Sequence, residues 1–194
     1  MIEDRLKAGE SADVLILSAA AMERLQQSGA LAGAAVPLGR IGMGLAAKAD
    51  APKPDISTPE SFKAALLAAR SIAYSDPAGG GSSGIYFDGL IQRLGIAEAI
   101  RAKAVLIRGG SAADRVASGE AALAVQNVSE PIGVPGVALI GAFPADYQNY
   151  AVYAAGVPAG GAQRQSAADF IRYLAAPAAA AVWRAAGVEP ASGK

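Results

Sequence analysis

The sequence predicts an α/β chain in which mostly parallel strands are flanked by helices, and three observations carry that reading. Short, almost wholly apolar runs recur, as in 13-DVLIL-17, 103-KAVLI-107 and 121-AALAVQ-126. Such runs mark strands buried on both faces of a parallel sheet. Glycine- and serine-rich turns separate them from amphipathic stretches, so the order strand, turn, helix repeats. Finally, 53% of the residues are hydrophobic and only 18% charged, with alanine and glycine dominant. That composition favours close-packed helices on a sheet over a coiled coil or a disordered tail.

Taken in order, 1-MIEDRLKAGE-10 reads as the last turns of a helix stopped at Gly9. The run 13–17 is then a strand, 19–27 a helix, and Gly29 its stop. A second strand over 40–47 contains Gly42 and Gly44, which mark a bulge or a close backbone approach. After the proline-rich connection 49–57, Thr58 caps a helix from Pro59 to about Ala69, with Pro59 at its first position and Ser61 at its third. A strand over 71–74, a turn over 76–84 and a helix over 85–94 follow. Next come a strand at 103–107, a short helix at 112–117, and strands at 121–126 and 137–140. A strand over 148–155 leads to helices over 165–175 and 178–186, broken at Pro177. Phe170, Ile171, Leu174, Val182 and Trp183 fall there at helical spacing, and Trp183 reads as a packing residue.

Composition also excludes. The chain of 194 residues has no Cys and no His, which removes thiol catalysis, a Ser-His-Asp triad and ordinary structural zinc sites. Lys plus Arg equals Asp plus Glu at 17 each, with no basic stripe, so a nucleic-acid partner is not expected. The longest low-charge segment, 134–143, is interrupted by Pro135, Gly136 and Gly141, and no run reaches the roughly 18 residues that span a bilayer. As given, the chain opens on Met1 and a charged stretch rather than a signal peptide.

The stretch 71-SIAYSDPAGGGSSGIYFDGLIQRLG-95 organises the rest. A glycine-serine turn opening a helix gathers backbone N–H groups and small hydroxyls around one point, a cradle for an anion or polar ligand. In an open α/β sheet, ligands bind at the carboxyl ends of the strands. Three turns qualify: Gly80 to Gly84 with Ser82 and Ser83, Gly109-Gly110-Ser111, and Gln126-Asn127. If their strands are neighbours, Ser82, Ser83, Gly84, Gly110, Ser111 and Gln126 surround one cleft. Each has a plainer account too: turn glycines serve a positive φ, and Ser111 reads as a helix cap. Gln126 is harder to explain that way, because an amide at the end of a buried strand needs partners. The turn is neither a phosphate-binding Walker loop, lacking the lysine, nor a dinucleotide fingerprint, lacking the acidic ribose partner. Asp76, Asp88 and Asp114 are the nearest acids; Asp76 before Pro77 suits a turn, Asp114 suits the start of a helix, and Arg108 brings positive charge after its strand.

Four ordered stretches carry a resemblance: 9-GESADVLILSAAAMERL-25, 76-DPAGGGSSGIYFDGLIQRLG-95, 103-KAVLIRGGSAADRVASGEAALAVQNVSE-130 and 167-AADFIRYLAAPAAAAVWRAAG-187. Together they resemble the molybdate-type periplasmic substrate-binding proteins of ABC transporters, and more broadly the type II binding-protein fold. The resemblance implies two lobes, 1–47 with 145–194 and 48–144, joined by crossing strands, with ligand in the cleft between them. It places ligand contacts near Ser83, near Gly110 and Ser111, and at Gln126, where the family carries a tyrosine. The family's opening strand and helix, each with a serine-type contact, have no counterpart here. A late start, a diverged paralogue, or a homodimer completing the first lobe would each account for that.

The function that follows is non-enzymatic binding of a small anion or polar solute, with an ABC transporter permease as the implied partner and no cofactor or metal. The resemblance implies a periplasmic setting, and the chain as given, taken as the full product, a cytoplasmic one. Two alternatives stand beside it: a ligand-free structural or regulatory homo-oligomer, and an enzyme pairing Ser82 or Ser83 with Asp76 or Asp114.

Overall fold

The computed structural model describes residues 2–191. Its elements are α1 (Ile2–Lys7), β1 (Leu15–Ser18), α2 (Ala19–Gln27) and β2 (Val36–Lys48), then α3 (Pro59–Ala68), β3 (Ile72–Ser75) and α4 (Ser82–Arg93). There follow α5 (Ala97–Arg101), β4 (Ala104–Ile107), α6 (Ala112–Ala117), β5 (Leu123–Asn127) and β6 (Val137–Ala142). The chain closes with β7 (Tyr150–Gly156), α7 (Arg164–Ala175), α8 (Ala180–Ala185) and the two-residue β8 (Glu189–Pro190). Two compact units result: Met1–Arg40 with Ala151–Lys194, and Ile41–Tyr150. The divisions fall within β2 and β7.

The second unit is built on three adjacent parallel strands in the order β5, β3, β4. Antiparallel β2 lies beside β5 and also pairs β6, with a register shift between Leu45 and Ala46. Side-chain alternation makes its two faces unequal. Met43, Leu45, Ile72, Tyr74, Leu123 and Val125 face one way and pack with Phe62, Leu66, Phe87, Leu90, Ile91, Ile100 and Phe143, most of them from α3, α4 and α5. Ala46, Ala73 and Ala124 face the other way, where α6 brings Ala112 and Val116. The apolar runs of the sequence are thus alternating large and small residues, and the small face lets α6 lie close to the strands.

Local chemistry explains most boundaries. Thr58 and Ser61 form a reciprocal capping box at the start of α3, as the sequence predicts. Lys103 closes the far end of α3 by donating its ammonium to the carbonyls of Leu67 and Ala69, both at 2.6 Å. Gly42 and Gly44 do mark close approach: a Cβ on Gly44 would stand 2.7 Å from the Val128 side chain and 2.9 Å from the Gly141 carbonyl oxygen. Helix α4 begins three residues earlier than predicted. The backbone carbonyl of Gly81 accepts from the Ile85 N–H at 3.0 Å, so Ser82, Ser83 and Gly84 form the first turn instead of the loop before it. Helix α5 escaped prediction because five residues show no period and its cap, Ile96, has no polar side chain.

In the first unit β1 pairs antiparallel with β7, from Leu15 opposite Gly156 to Ser18 opposite Tyr153. The expectation of a parallel strand buried on both faces is corrected here: Leu15 is buried but Ile16 is 44% exposed. Antiparallel pairing leaves one face open, and a run of four or five apolar residues cannot distinguish the two cases. Leu15, Met22, Leu25 and Ala154 form one small core, and Leu38, Ala155 and Ile171 another, against which Trp183 packs. Trp183 also donates its indole N–H to the Leu174 carbonyl at 2.8 Å, which ties α8 to α7. Phe170 and Val182 share the helical spacing but point outward, 48% and 71% exposed.

Candidate functional site

Parallel pairing of β5, β3 and β4 puts their carboxyl ends in one row, the condition on which the sequence-level cleft depended. From that row lead the turn beginning at Asp76, the turn beginning at Arg108, and Gln126 with Asn127. Gln126 is 2% exposed. Its side-chain oxygen accepts the Ala113 N–H at 3.2 Å and the Ser111 hydroxyl at 3.0 Å. Because the Ala113 N–H can only donate, it fixes which end of the amide faces α6. The other end, Nε2, is buried without a hydrogen-bond partner. An orphaned buried amide costs about 1–3 kcal/mol, so its retention at the end of the row asks for an acceptor.

The predicted site residues take distinct places around it. Ser111 caps α6 in a box with Asp114 and commits its proton to Gln126, so it positions the amide. Gly110 has φ +82°, the left-handed conformation that leads into this cap. Ser83 lies in the first turn of α4, its hydroxyl 3.4 Å from that of Ser75 at the end of β3. Ser75 is a polar group of the row that sequence reasoning passed over, hidden as the last residue of an apolar strand. Ser82 is exposed at the first position of the helix. Gly84 holds the helix against the sheet: a Cβ there would stand 2.0 Å from the Ser75 carbonyl oxygen. No side chain caps α4, since its N-cap is Gly81, and the first-turn N–H groups face outward from the helix end. Asn127, by contrast, is engaged with Glu130 at 2.6 Å.

Asp76 and Arg108 join two of the turns. The Arg108 Nε donates to Asp76 Oδ2 at 2.9 Å, while Asp76 Oδ1 accepts the Ala78 N–H at 3.0 Å and caps the turn Pro77–Gly79. The Arg108 guanidinium, followed by the Ala78 N–H, holds the Asp76 carboxyl below its ordinary range. A depressed carboxylate is a weaker general base, and its bonds to Arg108 and Ala78 count against Asp76 as the partner of a serine. Its linkage to stability has a definite sign. The contribution is complete above the unfolded-state pKa and is lost as pH falls through the lower folded value. Acid denaturation of the Asp76→Asn variant is accordingly expected to show a shallower loss of stability below about pH 4 than the parent. Parallel curves for the two proteins would refute that role.

A hollow of about 510 Å³ lies elsewhere, in the first unit, between the segment 32–36 and α7. Alanine, glycine, valine and Ile171 form its walls. Of its two arginines, Arg164 donates to the Ala159 carbonyl and Arg172 pairs with Asp169 at 2.7 Å. It contains none of the predicted residues and, among the described residues, no orphaned polar group, so the row on the second unit stays the candidate. Among the described residues no group of three or more acids gathers to hold a metal, and no helix is long and apolar enough to cross a membrane.

The two α/β units have the fold of the type II periplasmic binding proteins. That fold is shared with the substrate-binding domain of a putative molybdenum ABC transporter from Clostridium difficile, at TM-score 0.77 and 16% identity over 98% of this chain and 82% of that one. It is shared also with the Azotobacter vinelandii periplasmic molybdate-binding protein, at TM-score 0.67 and 22% identity over 96% and 82%. Residues 2–189 match the family of bacterial extracellular solute-binding proteins, and the chain belongs to it. An aconitate isomerase from a Pseudomonas species is 34% identical over 191 residues, 97% of this chain and 71% of that protein. By family the chain is a bacterial extracellular solute-binding protein, and its fold is that of the type II periplasmic binding proteins.

Proposed function

We propose that the chain binds a small anion reversibly at the carboxyl ends of β5, β3 and β4, on the second unit. The observation that carries this is the buried, unpartnered Nε2 of Gln126. An oxyanion or carboxylate accepting from it removes the cost of the orphan. The same ligand accepts from the uncapped first turn of α4, where the helix dipole favours negative charge. On the family resemblance, Gln126 would supply an amide donor where the family uses a phenolic one.

Isothermal titration with molybdate, sulfate, citrate and the two aconitate isomers tests the reading. Gln126→Ala is expected to weaken the bound member of the panel by about 10- to 100-fold, the worth of a hydrogen bond to a charged group. An unchanged affinity in that variant sinks the site.

A second reading rests on the likeness to aconitate isomerase. Moving a double bond between cis and trans forms through allylic proton transfer needs one group that takes a proton and returns it. Glu130, on the turn after β5, has its carboxyl raised by the crowding of the surrounding chain, with the Asn127 hydrogen bond opposing the rise. Its residue surface is open to water. Conversion of cis-aconitate to the trans isomer, followed by proton NMR and lost in Glu130→Gln, would establish this reading. No conversion by the parent protein leaves the chain a binder.

A further inference from the structure

We infer that Arg108 is a specificity determinant of this site and that it selects a ligand with two or more carboxylates over a single tetrahedral oxyanion. The inference rests on the binding site proposed above and names the class of ligand it takes. Arg108 spends one of its five N–H donors, Nε, on Asp76. Its side chain is 86% exposed while that of Asp76 is 7% exposed. The buried carboxylate thus orients the guanidinium, and among the described residues no side chain or carbonyl engages the remaining two nitrogens. Those two nitrogens form the planar fork that matches a carboxylate.

Spacing decides between ligands. Gln126 is the second-last residue of β5 and Arg108 follows β4, with β3 between the two strands. At about 4.8 Å per strand the two groups spring from backbones about 10 Å apart. The tether to Asp76, which follows β3, holds the guanidinium at the β3–β4 end of the row. Gly84 seats the start of α4 against Ser75 at the end of β3, in the middle. Donors from three turns therefore border the row: the Gln126 amide, the α4 N–H groups and the Arg108 fork. One compact oxyanion satisfies the first two. An extended polycarboxylate satisfies all three.

The test is calorimetric titration of the full chain with propane-1,2,3-tricarboxylate, succinate, acetate and molybdate, at low and high salt. Arg108→Met is expected to weaken tricarboxylate binding by about 10- to 100-fold and to flatten its salt dependence. Arg108→Lys, which keeps the charge and loses the fork, is expected to fall between the two. Removing Arg108 strands the buried Asp76, so the double variant Asp76→Asn, Arg108→Met is measured alongside and is expected to show the same loss. Tricarboxylate binding equal to the parent's in both Met variants, with Gln126→Ala still defective, overturns the inference and leaves the site standing. A parent protein that prefers molybdate to the tricarboxylate also overturns it. Binding unaffected by Gln126→Ala, or a parent that binds nothing in the panel, overturns the site and the inference together.

Discussion

Replacing Phe62 by alanine lowers the stability of the chain by about 3–5 kcal/mol. The ring is fully buried in the second unit. It meets Phe143 edge-on with centroids 4.7 Å apart and lies 5.8 Å from Tyr147. Truncation removes the transfer energy of the ring and leaves a cavity that its two rigid aromatic neighbours cannot collapse into. Aromatic pairing adds about 0.5–1.5 kcal/mol to what burial alone predicts. Phe62→Leu, which keeps much of the volume, should cost far less. Urea unfolding followed by tryptophan-independent far-UV circular dichroism reads both variants. A loss under about 1 kcal/mol for alanine would show that this core repacks freely, against the close packing expected of protein interiors.

The second large effect is expected at Gly84, and here two terms oppose each other. Glycine inside a helix is about 1 kcal/mol worse than alanine, so Gly84→Ala gains on propensity. The new Cβ, however, would stand 2.0 Å from the Ser75 oxygen and 2.8 Å from its carbonyl carbon. Both are backbone atoms, and no rotamer change relieves them. Overpacking of this kind costs about 1–3 kcal/mol even in accommodating cores, and the absence of a flexible neighbour puts Gly84 at the upper end. The net expectation is a loss of about 2 kcal/mol. Because α4 must lift away from β3, ligand binding should fall with it. Stability equal to or above that of the parent would mean the helix start is not seated as described. Intact stability with lost binding would place Gly84 in ligand contact instead.

Much of this was legible in the residues. Alternation of strand-like runs with Gly-Ser turns is enough to read an α/β chain, because burial on both faces of a sheet demands continuous apolar runs. Helix ends were legible wherever a side chain made them: Thr58 and Ser111 cap as their spacing implies. Less legible were boundaries made by backbone alone. The start of α4 depends on the Gly81 carbonyl and on Gly84 fitting beneath Ser75, and neither leaves a side-chain signature. The direction of β1 was hidden for a similar reason. Four or five apolar residues look the same whether a strand is covered on two faces or on one.

Local chemistry also set the limits of the site reading. Serine, glycine and amide types at three turns, with histidine and cysteine absent, point to a polar ligand and away from most nucleophilic catalysis. Which of those groups remains free is a different matter. Ser111 gives its proton to Gln126, Asn127 is taken by Glu130, and Asp76 is taken by Arg108. Asn127 and Glu130 pair locally, but only the tertiary fold brings Arg108 to Asp76 and Ser111 to Gln126. Hydrogen bonds between turns so far apart in the chain are fixed by strand order and register, which no local pattern encodes. The sequence by itself determined the fold class and the kinds of donor available. The tertiary structure decided which donors are spent on one another and left the Gln126 amide and the Arg108 fork unspent.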